Sequence, residues 1–262
     1  MVVAGHMRKK LSFIVAAGIL GLFAQHAAAG QVKVTYKLDV GPMTMTTIQL
    51  ALDVGPEVVM SKARIKSGGI ANLLSEYTAV VEATSLIGGG APQPVSFNLV
   101  RERDKEVRKA SLSWTPDGAL SYEPQSQNAE RRDSIAKALN GNVSDPITAV
   151  LRIGTAGDSP CPSVHEVFDG RDVFELALTG KGTGKAGEDV DYRGTLQLCE
   201  VAWTPLAGRA KEKNVAPDSY DVSFAPIGKL PSGQQLWLPV DLTGTLKGMP
   251  FRAYAEKIDV DG

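Results

Sequence analysis

Gln31-Val32-Lys33-Val34-Thr35-Tyr36-Lys37-Leu38-Asp39-Val40 alternates apolar and polar side chains over ten residues. Neighbouring side chains of a β-strand point to opposite faces, so Val32, Val34, Tyr36, Leu38 and Val40 share one face. The stretch predicts a half-buried strand with one wet side. Gly41-Pro42 breaks it. Ile48, Leu50, Leu52 and Val54 resume the same period and stop at Gly55-Pro56. Val59, Ala63 and Ile65 mark a third strand.

The period of two returns along the whole chain. Strands are expected over 78–85 and 95–101, then around Leu112 and Trp114, with Thr115-Pro116-Asp117-Gly118 as a turn leading to Leu120 and Tyr122. Phe168-Asp169-Gly170-Arg171 has the chemistry of a type I′ hairpin. Further strands are expected over 192–203, 220–225, 236–242 and 250–258. The glycine- and lysine-rich stretch 180–187 reads as a loop.

Helical signals are few and short. Ile70, Leu73 and Leu74 stand at helical spacing and predict a helix over 70–76. Another is expected over 132–139, stopped by Asn140-Gly141. A third runs over 146–153, where Asp145 caps, Pro146 takes the first position, and Ile147, Val150 and Leu151 form an apolar stripe. No alternation of strands with long helices appears, so a parallel sheet is not expected. The fold class is mainly β: a long curved antiparallel sheet, a β-spiral or partly open barrel, with two or three short helices.

The first 29 residues read as an address. Arg8, Lys9 and Lys10 precede an apolar run over 11–24, and Ala27-Ala28-Ala29 offers a cleavage site. The apolar run is too short to span a bilayer as a stable helix. Residues 1–29 are therefore expected to be a signal peptide and 30–262 a single β-rich domain, soluble in the periplasm after cleavage. From Gly30 onward the chain has 25 basic and 29 acidic residues. Without a basic excess, nucleic acid is not an expected partner.

Two cysteines remain, Cys161 and Cys199. In an oxidising compartment they are expected to pair, closing a loop of about 38 residues worth roughly 4 kcal/mol in chain-entropy terms. The single histidine beyond residue 29 is His165. No nucleophile-elbow pattern accompanies it. Gly180, Gly182 and Gly184 fail the phosphate-loop spacing, and Ala186 follows Lys185 where a hydroxyl is needed. Arg101, Arg103, Lys105, Arg108 and Lys109 interleave with Glu102, Asp104 and Glu106, which reads as a solvated hairpin face. No catalytic residue, metal site or cofactor is expected.

The apolar inventory is more suggestive. Met43 and Met45 lie on one face of an early strand, with Met60 nearby. Ile70, Leu73 and Leu74 are placed to plug the mouth of a curved sheet. Trp114, Trp203 and Trp237 fall on strands. In a closed small barrel these residues are core. In an open one, Met43, Met45, Ile70, Leu73, Leu74, Trp114 and Trp237 would line a site for an acyl chain or peptide.

Five segments in order carry a resemblance. They are Lys66-Ser67-Gly68-Gly69-Ile70 with Leu73-Leu74, Asp145-Pro146-Ile147-Thr148-Ala149, and Phe168-Asp169-Gly170-Arg171 with Phe174-Glu175-Leu176. Cys199 with Val201, Pro205, Ala207 and Gly208 follows, then Leu236-Trp237-Leu238-Pro239-Val240. Together they resemble the bacterial family called domain of unknown function 3108. The pattern is similar, more loosely, to β-spiral envelope-integrity proteins and half-barrel lipoprotein carriers. The resemblance implies a β-rich periplasmic protein with no established catalytic residues. The expected role is non-enzymatic envelope maintenance, with a lipid or lipoprotein segment as ligand. The rivals are an interaction module that offers a sheet edge to an envelope protein, and a hydrolase using carboxylates or His165.

Overall fold

The computed structural model describes residues 30–68, 76–88, 90–123, 128–139, 142–213, 218–246 and 248–261. The expected signal peptide and the expected helix with Ile70, Leu73 and Leu74 lie outside them. Among the described residues, thirteen strands form one sheet. They are β1 (Gly30–Val40), β2 (Met43–Val54), β3 (Val58–Ser67), β4 (Tyr77–Leu86), β5 (Gln93–Arg103), β6 (Glu106–Trp114), β7 (Leu120–Tyr122), β8 (Ser163–Phe168), β9 (Asp172–Lys185), β10 (Thr195–Gly208), β11 (Asp218–Lys229), β12 (Gln235–Leu246) and β13 (Met249–Asp261). Among the described residues, three helices, α1 (Ala129–Ala138), α2 (Pro146–Gly154) and α3 (Arg209–Glu212), accompany them.

The order across the sheet is β7-β6-β5-β4-β3-β2-β1-β13-β12-β11-β10-β9-β8. Every neighbouring pair of strands is antiparallel. Two meanders, β1–β7 and β8–β13, are therefore sewn together along β1 and β13, where Val34 faces Ile258. Strands β7 and β8 are the two edges, and the sheet is not closed into a barrel.

The sheet curls with its apolar face inward. One core cluster joins Val34, Leu52 and Val59 of the first meander to Leu196, Leu238 and Val240 of the second, with Leu151 of α2 between them. A second joins Phe97 and Leu112 to Phe168, Val173 and Ala207. The edges approach at the second cluster, where the rings of Tyr122 and Phe168 meet edge to face at 5.1 Å. A third cluster surrounds the Cys161–Cys199 disulfide with Leu178, Val222 and Phe224. The expected pairing is formed, with Cα atoms 6.3 Å apart.

Three local readings need correction. The 180–187 stretch is not a loop: β9 runs on to Lys185, with Gly182 opposite Leu198 and Gly184 opposite Leu196. A β-carbon on Gly184 would sit 3.0 Å from Leu198 Cδ1, so the missing side chain makes room for that leucine. The Asp-Gly hairpin is not type I′, because only Gly170 takes a positive φ, +88°. Instead Asp169 Oδ1 accepts the backbone N–H groups of Arg171 and Asp172 at 2.8 and 2.7 Å. The type I′ geometry falls on the mixed-charge run, where Asp104 and Lys105 both have positive φ (51° and 73°) between β5 and β6. Helix α1 also starts earlier than expected, at Ala129. Asn128 caps it by accepting from Arg131 N at 3.0 Å.

Candidate functional site

Helix α2 is the element around which the site is built. Asp145 caps it as expected, its Oδ1 accepting from the N–H groups of Ile147 and Thr148 at 2.9 Å each. Its Oδ2 accepts from the Thr148 hydroxyl at 2.5 Å, and that hydroxyl lies 2.8 Å from Ser85 Oγ of β4. This buried polar chain ties α2 to the first meander. Burial raises the Asp145 carboxyl above its usual range, against the hydrogen bonds that favour its charged form. The other end of α2 lies on the second meander, where Gly154 meets the Trp237 backbone.

The disulfide and α2 fasten one wall of a polar cleft of about 750 Å³ beside the edge strand β8. Its lining includes Gln93, Arg152, Thr155, His165, Glu166 and Glu175. Arg152 donates to Pro92 O at 2.7 Å, Asn142 O at 3.0 Å and Gln93 Oε1 at 3.1 Å. It therefore clamps the chain around residues 92–93 onto the helix. Burial holds the His165 imidazole below its ordinary range, and the Arg152 charge adds to this. His165 Nε2 and Glu166 Oε2 are buried without a hydrogen-bond partner among the described residues. Thr155 is the one hydroxyl among the described lining residues, and it already donates to Leu151 O at 2.8 Å.

The apolar residues singled out in the sequence are dispersed. Met43 opens β2 at one end of the sheet and is 40% exposed, with Met45 half-buried beside it. Met60 does not join them, since it faces Asp53 near the far end of β2. Trp114 is buried in the second core cluster, while Trp237 packs half-buried against the third. Ile70, Leu73 and Leu74 fall outside the described residues.

A second pocket had no signal in any single segment. About 480 Å³ in volume, it is lined by Tyr77, Arg101, Arg103, Asp104, Glu106, Arg108, Arg171 and Arg209. Arg101 and Arg108 face each other across β5 and β6. They share the sheet face of buried Ala79, which lies opposite Arg101, and of Ala110, two residues beyond Arg108. The alternation that makes the core thus continues into arginines at its open end. Arg171 and Arg209 come from the opposite wall, at the Asp-Gly hairpin and the start of α3. The hairpin run on its own reads as a solvated face, and only the curl of the sheet brings the other two arginines to it.

Among the described residues, no cluster of three or more His, Cys, Asp or Glu side chains is arranged to hold a metal ion. No described helix is long and apolar enough to cross a membrane.

No family model matches the chain. No curated protein matches it either. Among solved structures, the chain is similar to a beta-barrel-like protein of domain of unknown function 1849 from Brucella abortus. That match has 11% identity and a TM-score of 0.45, and covers 90% of this chain and 98% of the other.

Proposed function

We propose that this is a non-enzymatic, periplasmic envelope-maintenance protein of the domain of unknown function 3108 type, which holds a lipid chain or lipoprotein segment against the concave face of its sheet. The observation that carries the reading is the unclosed curl. Thirteen strands turn an apolar face inward, yet the two edges, β7 and β8, are not joined by a ladder. A wall that is not sewn shut can admit a chain between its edges without breaking strand pairing. The disulfide suits an oxidising compartment.

The test is purification from periplasm without detergent, native mass spectrometry, then solvent extraction. A bound mass that yields lipid or an acylated peptide is expected. A clean apoprotein mass with no extractable lipid and no binding of an acyl probe overturns the reading.

A second reading rests on Val164, which is 63% exposed on the edge strand β8. Among the described residues, backbone pairing to this edge comes from Ser144, at Glu166 and Phe168. The remainder of the strand is a template for an added strand from an envelope protein. V164P removes a backbone donor there, and is expected to abolish such pairing while leaving any acyl-probe binding intact.

A further inference from the structure

We infer that the arginine-lined pocket between the β5–β6 hairpin and the Asp-Gly hairpin binds an anion of the phosphate class, a phosphate mono- or diester. Every cation that lines it is an arginine: Arg101, Arg103, Arg108, Arg171 and Arg209. Guanidinium groups present forked donors that match two oxygens of a phosphate at once, which the compact ammonium of lysine does not.

The charges are not balanced within the pocket. Five guanidiniums face two lining carboxylates, Asp104 and Glu106. Glu106 is engaged by Arg108 at 2.7 Å, and Asp104 lies 3.7 Å from Arg103 Nε. Arg171 is 3.3 Å from Asp172. The guanidinium groups of Arg101 and Arg209 make no hydrogen bond or ion pair with any described residue, although the Arg209 carbonyl accepts from Lys213 N. Like charges directly opposite on neighbouring strands repel, and Arg101 and Arg108 are such a pair. This convergence occurs in a chain with an acidic excess beyond residue 29. A bound dianion adds an attraction to each guanidinium that offsets this repulsion.

The pocket is also held in shape before any ligand arrives. Asp169 Oδ1 fixes the backbone of Arg171 through the N–H groups of Arg171 and Asp172. Asp172 Oδ1 in turn accepts from Ala210 N at 2.8 Å, which holds the start of α3 and so the backbone beside Arg209. Gly208, at φ +93°, lets the two segments touch, since a β-carbon there would lie 2.5 Å from Arg171 O. The Asp-Gly turn and the junction of β10 with α3 therefore meet at the backbones of Arg171 and Gly208, next to Arg209. Preorganised donors lose little freedom on binding.

The inference stands apart from the apolar ligand proposed above, because it rests on a different pocket. Its test is calorimetric titration of the full mature protein with inorganic phosphate and with pyrophosphate. A parallel flotation assay uses phosphatidylcholine vesicles with and without phosphatidylglycerol. The variant is R101Q/R209Q, which removes two guanidinium groups that have no described partner and so leaves the existing ion pairs intact. The control, K33Q/K229Q, removes two exposed lysines elsewhere.

Wild type is expected to bind pyrophosphate, with R101Q/R209Q weaker by about tenfold or more and K33Q/K229Q unchanged. Phosphate and pyrophosphate binding without flotation on phosphatidylglycerol vesicles identifies a soluble anion as the natural class. Flotation that needs phosphatidylglycerol and is lost in R101Q/R209Q identifies a lipid head group. Absence of binding in every arm overturns the inference, as does equal binding by wild type and R101Q/R209Q. Equal weakening by the lysine control also overturns it, since the effect would then be net charge alone. Failure of the acyl-probe experiment leaves this result untouched.

Discussion

A β-carbon on Gly154 would lie 2.1 Å from the carbonyl oxygen of Trp237. Helix α2 therefore sits on β12 at a distance that only a glycine permits. A methyl group there must push helix and strand apart. Overpacking of this kind costs about 1–3 kcal/mol. G154A is accordingly expected to lower the unfolding free energy measured in urea by that amount, or to prevent folding. A G154A protein as stable as wild type removes this contact from the account of how α2 is held.

The Cys161–Cys199 bond closes a loop of 38 residues. Both sulfur-bearing residues lie inside the third core cluster. Peptide mapping of the unreduced protein is expected to recover one bridged peptide pair. C161S/C199S should lose roughly 2–4 kcal/mol and expose the segment between β8 and β9 to protease. Two free thiols on mapping contradict the assignment.

Asp145 is expected to impose a cost at neutral pH. Its folded-state pKa is raised from 3.8, so the folded chain holds that proton more tightly than the unfolded chain does. The contribution is fully present below pH 3.8 and is lost as pH rises through the folded value. D145N keeps an oxygen for the two backbone N–H groups and removes the buried charge, so its stability should not fall across that window. D145A loses the cap and should cost about 1–2 kcal/mol at neutral pH. Urea titrations of the three proteins at a series of pH values decide this.

His165 works in the opposite sense. Its folded pKa lies below 6.5, so the unfolded chain binds the proton first. Stability is held above pH 6.5 and falls as pH drops from there through the folded value. H165Q should be flatter than wild type between those limits. Parallel curves would show that His165 is not the group responsible.

The sheet was legible because its signal is local. Strict alternation over 31–40 gives β1, and Asp145-Pro146 gives α2, since a cap and a fixed φ need no distant partner. Gly182 and Gly184 give a false loop signal for the same reason. A glycine shows no alternation, and the leucine that needs its space, Leu198, is on the next strand. The sites were far less legible. Arg101 and Arg209 come together only through the curl, and the cleft around His165 depends on Arg152 pinning residues 92–93. Met43, Met45, Trp114 and Trp237 have the right chemistry for an apolar site, but strand order assigns them to separate parts of the sheet.

The seam between β1 and β13 sets a schedule for making the protein. More than two hundred residues separate Val34 from its partner Ile258. A chain emerging from its N-terminal side can zip β1 through β7 together as each hairpin arrives. Throughout that time β1 has no neighbour on its other side, and its row of amide and carbonyl groups is open to any passing strand. Lys33, Lys37 and Asp39 put charge along that strand and discourage such pairing. The margin closes only when β13 is delivered, so the middle of the finished sheet is the last part of it to be protected.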